Sequence, residues 1–238
     1  VTNAIFRSDI GVKLIDSMGS DLGLARAAWV STKGVEADAA ELDQAKIDGL
    51  LGFLLKNRHG TPFEHGSMTF LVEAPIFVFR EWHRHRVGWS YNEESGRYTQ
   101  LKPVFYVPDA ERNLQQVGKP GHYEFVPGDE GQLAIVRQTI RDSSIKSYDR
   151  YEHMLSRGIA KEVARMVLPV NTYSSMYATC NPRSLMSFLS LRTKSEDSLF
   201  KSFPQREIEM GAEKMEAEFA RLFPVTHGAF VSAGRVSP

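Results

Sequence analysis

The sequence predicts a single α+β domain spanning residues 1–238, with a central, mostly antiparallel sheet and long helices. Three observations carry this. Short alternating apolar runs stand apart from one another, separated by longer stretches with helical period. No internal repeat or low-complexity linker divides the chain. With 42% hydrophobic and 24% charged residues, the 238-residue chain has the composition of a globular protein able to bury a sizeable core.

In order along the chain, Val12-Lys-Leu-Ile alternates like a short strand. Asp21 to Ser31 then carries Leu22, Leu24, Ala27 and Ala28 at helical spacing. Ala39 to Lys56 is a stronger helix, with Leu42, Ala45, Ile47, Leu50, Leu51 and Leu54 on one side and Asn57-Arg-His-Gly ending it. Ser67 to Glu73 alternates as a strand. Ala74-Pro75 suits the first turn of a helix, where proline loses no hydrogen bond. Gln100 to Gly131, rich in Pro, Gly, Asn and charge, reads as a long irregular connection. Gln132 to Leu155 is a long amphipathic helix, and Ile159 to Leu168 another, stopped by Pro169. Val170 to Thr179 is strand-like or irregular. Pro182 to Leu191 is a helix opened by proline, and Gln205 to Leu222 is the last helix.

Composition excludes several classes of function. Lys plus Arg equals Asp plus Glu at 29 each, so no global field attracts DNA or RNA, and any anion binding is local. Cys180 is the single cysteine; it forms no intrachain disulfide, no Cys/His spacing suggests a metal, and a reducing, cytoplasmic setting is the default. Its thiol reads as a small buried hydrophobe. The N-terminal stretch is broken by Arg7, Asp9, Lys13 and Asp16, and no run approaches the ~18 apolar residues of a membrane span.

The exception to this ordinary chain is Arg80 to Tyr98, REWHRHRVGWSYNEESGRY, which holds four arginines, two histidines and three glutamates. Charge clusters are usually solvated helix faces. Here apolar Ile76-Phe-Val-Phe leads straight into Arg80, and Arg80 and Arg84 lie one helical turn apart, as do Trp82 and Arg86. Guanidinium forks match phosphate oxygens bidentately. Asn92-Glu-Glu-Ser-Gly-Arg-Tyr adds hydrogen-bonding groups for a polar ring and a glycine that lets backbone approach it. The residues alone therefore indicate a small phosphorylated ligand with a hydrogen-bonded ring. A rival of another class is a non-enzymatic nucleotide- or RNA-binding module, with Trp82, Trp89, Tyr91 and Tyr98 as stacking platforms. Zero net charge weighs against it.

Arg84-His-Arg, eight residues, then Ser95-Gly-Arg-Tyr resembles the signature of the flavin-dependent thymidylate synthases. Four other blocks are similar to that family in the same order: Arg58-His-Gly-Thr-Pro-Phe-Glu-His, Ala74-Pro-Ile-Phe-Val, Glu162-Val-Ala-Arg-Met-Val-Leu-Pro, and the run from Asn181 to Arg192. The resemblance implies an FAD enzyme that methylates dUMP to dTMP, with 5,10-methylenetetrahydrofolate as carbon donor, NADPH as reductant and tetrahydrofolate as by-product. It also implies a cytoplasmic homotetramer with active sites at subunit interfaces, and neither nucleic-acid nor membrane partners.

Residue by residue, the resemblance assigns Thr61, Arg84, His85, Arg86, Asn181 and Arg183 to FAD, with His59 beside the flavin and Glu93 and Ser187 also at the cofactor. It assigns Glu81, Trp82, His83, Arg84, Glu93, Glu94, Ser95, Gly96, Arg97, Arg165 and Arg192 to dUMP. Arg192 is the catalytic candidate, because a guanidinium beside the uracil can stabilise charge developing on the ring. Ser95 is read as orienting the nucleotide, since no activating base accompanies it. Three features depart from the family: Glu81 stands where Gln is usual, Ser187 where Asn is common, and the spacer before Ser95 is eight residues rather than seven. Either Glu93 or Glu94 takes the family glutamate role, with Glu93 preferred because it follows Asn92. No GxGxxG fingerprint is present, so arginines and subunit packing would hold FAD.

Overall fold

The computed structural model describes residues 3–38, 43–119 and 122–238. The elements begin β1 (Ile5–Arg7), β2 (Gly11–Met18), α1 (Asp21–Lys33), α2 (Gln44–Lys56), β3 (Ser67–Pro75), α3 (Ile76–Trp82), β4 (Trp89–Glu93) and β5 (Val104–Tyr106). They continue with β6 (Gln115–Lys119), β7 (His122–Val126), α4 (Glu130–Ser156), α5 (Lys161–Ala164), β8 (Tyr173–Cys180), α6 (Pro182–Arg192), α7 (Arg206–Leu222) and α8 (Pro224–Ser232). The α+β class holds. A four-stranded sheet has the order β2-β3-β8-β4.

The chain forms two compact units, each assembled from discontinuous segments. The first comprises the residues up to Asp9, Glu73–Arg80 and Glu93–Ser175. Here β1 pairs in parallel with β5, Ile5 opposite Val104 and Arg7 opposite Tyr106. Phe105 of that pair joins Tyr148, Tyr151 and Ala164 in a buried cluster, against which Phe6, Met154, Leu155 and Leu168 pack. The tyrosines of α4 also hold backbone: Tyr148 Oη donates to the Leu101 carbonyl at 2.8 Å, and the Leu101 N–H donates to Tyr151 Oη at 3.3 Å. A capping box starts α4, Asp129 accepting from the Gln132 N–H and the Gln132 side chain accepting from the Asp129 N–H.

The second unit comprises Ile10–Val72, Glu81–Asn92 and Met176–Pro238. Its core holds Leu24, Leu51, Phe63, Phe70, Trp82, Phe188, Met215, Phe219 and Phe230, all fully buried. Ser20 caps α1 through its hydroxyl. Asp21, the first residue of α1, is itself buried and accepts hydrogen bonds from Val225 N, Thr226 N and Thr226 Oγ1. One carboxylate thus satisfies the orphan N–H groups that open α8.

Several sequence expectations are corrected. Helix α2 begins at Gln44, capped by Asp43, so only residues 39–42 of the expected Ala39 start lie outside the described residues. Pro75 ends β3 instead of opening the helix, which starts at Ile76. The expected irregular span 100–131 contains β5 and an antiparallel hairpin of β6 and β7, Gln116 opposite Phe125. That hairpin is largely exposed and lacks the apolar-in, polar-out alternation that would reveal it. The expected helix from Ile159 to Leu168 shrinks to α5 and a 3-10 turn at Arg165–Val167, because Pro169 leaves no room to extend it. Helix α7 is followed by α8, whose small and apolar residues carry no amphipathic period. Among the described residues no helix is long and apolar enough to cross a membrane.

Candidate active site

In the second unit, the arginine-rich turn is fixed by its aromatic residues. Trp82 is fully buried and stacks on Phe188 of α6, with ring centroids 5.0 Å apart. Its side chain therefore cannot reach a ligand, either as part of a substrate site or as a base-stacking platform. Gly211 of α7 makes space for it, since a Cβ there would lie 2.9 Å from the indole. Tyr91 Oη donates to the carbonyls of His85 and Trp82, at 2.7 and 3.2 Å, which ties β4 back to the turn. His83 meets the Tyr91 ring edge-on at 5.1 Å. Arg84 and Arg86 project from this turn exposed, and neither guanidinium has an ion-pair or hydrogen-bond partner among the described residues.

Helix α6 supplies the opposing groups. Asn181 caps it, its side chain accepting from the Ser184 N–H at 2.8 Å. Ser184 Oγ donates to the Val87 carbonyl at 2.9 Å. Gly88, at φ +68°, lies so close that a Cβ would stand 2.1 Å from Ser184 Oγ. Only glycine combines that left-handed backbone with this approach. Ser187 is exposed on the same helix.

At the last residue of α6, Arg192 Nε donates to His85 Nε2 at 3.0 Å, and Arg192 Nη1 donates to Glu81 Oε2, also at 3.0 Å. The pair is largely sheltered, with side chains 19% and 28% exposed. Burial, seconded by the Arg192 charge, lowers the His85 pKa to about 4, so the ring is neutral and its nitrogen free to accept. Burial raises the Glu81 carboxyl, the Arg192 charge opposes that, and the charge of Glu207 on α7 adds to it.

The remaining cofactor candidates gather after α2. Arg58 adopts a left-handed φ of 63°, turning the chain into His59, which is exposed and edge-on to Phe53. Thr61 is exposed at the start of a 3-10 turn. Gly60 backs onto the Arg183 guanidinium, which also pairs with Glu64. The second unit therefore holds His59, Thr61, Arg84, His85, Arg86, Asn181, Arg183 and Ser187 along with Glu81, Trp82, His83 and Arg192.

The first unit holds Glu93, Glu94, Ser95, Gly96, Arg97 and Arg165. The Glu94 N–H donates to the Ser175 carbonyl at 2.8 Å, while Glu93 is exposed. The Ser95 carbonyl accepts from Tyr98 and Thr99, and its Oγ accepts from the Arg97 N–H at 3.3 Å. Arg97 pairs with Glu162 at 2.9 Å. Gly96 is buried against Leu101 and the stem of Arg165. The Arg165 head group is exposed and has no partner among the described residues. An unneutralised arginine beside a serine turn suits an anionic ligand.

Sequence reasoning missed Glu207, buried and acting on Glu81, and the anchoring roles of Tyr91 and Phe188. Tyr91 and Phe188 lay within stretches already singled out, but Glu207 carried no local signal.

The donor set fits an anionic cofactor. Two unpaired arginines at Arg84 and Arg86, with Arg183 pressed on a glycine backbone, match a diphosphate better than a neutral ligand.

Residues 13–225 match the family model described as thymidylate synthase complementing protein. The chain is 58% identical over 233 residues to the flavin-dependent thymidylate synthase of Streptomyces coelicolor, covering 98% of this chain and 95% of that one. It is 49% identical to that of Tropheryma whipplei strain TW08/27, covering 100% and 99%. Among solved structures it resembles a UMP/dUMP methylase, PolB from Streptomyces cacaoi, bound with 5-Br dUMP. The TM-score is 0.93 at 52% identity, covering 98% of this chain and 100% of that one. The same methylase bound with 5-Br UMP matches with a TM-score of 0.91 at 51% identity, covering 99% of each chain.

Proposed function

The chain belongs to the flavin-dependent thymidylate synthase family and is an enzyme of that type, and on that premise we propose that it methylates dUMP to dTMP. Methylenetetrahydrofolate supplies the carbon and NADPH the reducing equivalents, leaving tetrahydrofolate and NADP. The observation that carries this reading is Arg192, sheltered and held between Glu81 and neutral His85 at the end of a helix whose start carries Asn181 and Arg183. A guanidinium so held stabilises negative charge as it develops on the uracil ring, and its hold costs no reorganisation during the reaction.

FAD, when bound, supplies hydride taken from the nicotinamide. On this chain Arg84, Arg86 and Arg183 would hold its phosphates, with His59, Thr61, His85, Asn181 and Ser187 around it. The candidates for dUMP in the first unit are Ser95, Gly96, Arg97 and Arg165, with Glu93 or Glu94 for the polar contacts, and those in the second unit are Arg192 and the backbone of residues 81–84. The enzyme works as a cytoplasmic homotetramer with active sites completed between subunits. The chain forms one domain over 1–238; neither compact unit is continuous in sequence, which supports this.

The likeness to a UMP/dUMP methylase favours a second reading, in which UMP is also accepted. The test is the visible spectrum of the purified protein for bound flavin, followed by assays of dTMP and ribothymidylate formation from dUMP and UMP with methylenetetrahydrofolate and NADPH. Light scattering on the same preparation reads the oligomeric state. A colourless protein that forms neither product would overturn the proposal.

A further inference from the structure

Arg192 offers three nitrogens, and the fold occupies two of them. Nε is taken by His85 and Nη1 by Glu81, while Nη2 makes no hydrogen bond to the described residues. The two acceptors come from one short stretch of chain, four positions apart, and grip the same planar group at two of its corners. A guanidinium bonded at one corner can still swing about that bond; bonded at two, it is fixed in plane and direction.

His85 is in turn held by its ring against Phe188, centroids 4.8 Å apart at 70°, and by its carbonyl to Tyr91. Glu81 faces Arg192 from α6 and the charge of buried Glu207 from α7.

We propose that Glu81 is a positioning residue for the reaction: its carboxylate, with the His85 imidazole as the second hold, aims Arg192 so that Nη2 is presented to the nucleotide ring. This rests on the reading of Arg192 as the catalytic group. The carboxylate is the charged half of the grip and the first half to take up a proton on acidification, since its pKa is raised above 4.5 while that of His85 is lowered to about 4. Burial and Glu207 raise its pKa, so its hold on Arg192 weakens on acidification sooner than that of an ordinary carboxylate. Glutamine would keep an acceptor oxygen without that titration.

The experiment uses flavin-loaded Glu81→Ala, Glu81→Gln and Arg192→Ala enzymes beside the parent. Flavin reduction by NADPH and dTMP formation from the prereduced enzyme are measured separately, from neutral to mildly acidic pH. Glu81→Ala should slow dTMP formation about 10- to 100-fold, the usual worth of a hydrogen bond to a charged group, while flavin loading and reduction stay at parent levels. Glu81→Gln should recover to within about tenfold of the parent, as a neutral acceptor allows, and should lose the parent's acid limb. If Glu81→Ala forms dTMP at the parent rate while Arg192→Ala does not, Glu81 positions nothing and the proposal fails alone. If Arg192→Ala matches the parent, the reading of Arg192 fails beneath it. Equal slowing in both Glu81 variants with the acid limb retained, or loss of flavin from either, would also overturn it.

Discussion

Gly60 lies directly against the guanidinium of Arg183, so close that a Cβ on it would stand 2.5 Å from both Cζ and Nε. The obstacle is the far end of a flexible side chain. Gly60→Ala should therefore fold, but Arg183 must leave its place and with it the ion pair to Glu64. The expected result is a melting temperature near that of the parent with a lower flavin-to-protein ratio after gel filtration. A parent-like ratio would remove Arg183 from the cofactor site.

Cys180 closes β8 with 2% of its surface exposed, and burial pushes its thiol well above the ordinary cysteine range. A buried, protonated thiol is neither nucleophile nor ready target. Thiol reagents should modify it only on unfolding, and Cys180→Ala should keep dTMP synthesis. Loss of turnover in a folded, flavin-loaded variant would reverse that assignment.

Arg235 binds Glu216 through both terminal nitrogens at 2.7 Å, and its Nη2 also reaches Thr193 Oγ1, next to Arg192. His227 meets the same carboxylate at 2.9 Å. Burial pushes Glu216 up, but the hydrogen bonds from His227 and Arg235 outweigh it and leave the carboxyl at about 2. Its contribution to stability is thus present above 4.5 and lost as pH falls toward about 2. Glu216→Ala strands a guanidinium that is 6% exposed and should cost ~3–5 kcal/mol in urea unfolding at neutral pH. A cost under ~1 kcal/mol would show the cluster to be no more than a surface pair.

His85 is neutral in the fold, with its pKa lowered from 6.5 to about 4. The unfolded chain takes up this proton first, so the stability it contributes is complete above 6.5 and declines as pH falls toward about 4. Comparing parent with His85→Asn by urea unfolding across that window isolates the effect. The parent should lose more stability than the variant. Parallel losses would mean that the fold does not hold the His85 ring neutral below 6.5.

Much of this protein was legible in the sequence, for one physical reason: helical and strand periods are local, and so are the motifs that carry chemistry. Helices α1, α4, α6 and α7, strand β3 and the Arg80–Tyr98 stretch could be read from neighbours within a few residues. The hairpin of β6 and β7 escaped because its faces do not differ in polarity, and α8 because it is apolar without period. Its N-terminal cap, Asp21, lies 204 positions from Val225. Local ion pairs such as Arg221–Glu218 follow helical spacing, but tertiary structure alone decided the partners of the charged groups at the site. Glu81 and Arg192 are 111 positions apart, and no spacing rule joins them. Nor could sequence foresee that Trp82 would be sealed against Phe188 while Arg84 and Arg86, two and four residues on, stay unpaired. Residue type says what a side chain can bond; only packing decides which of those bonds is made inside the fold and which is left for a ligand.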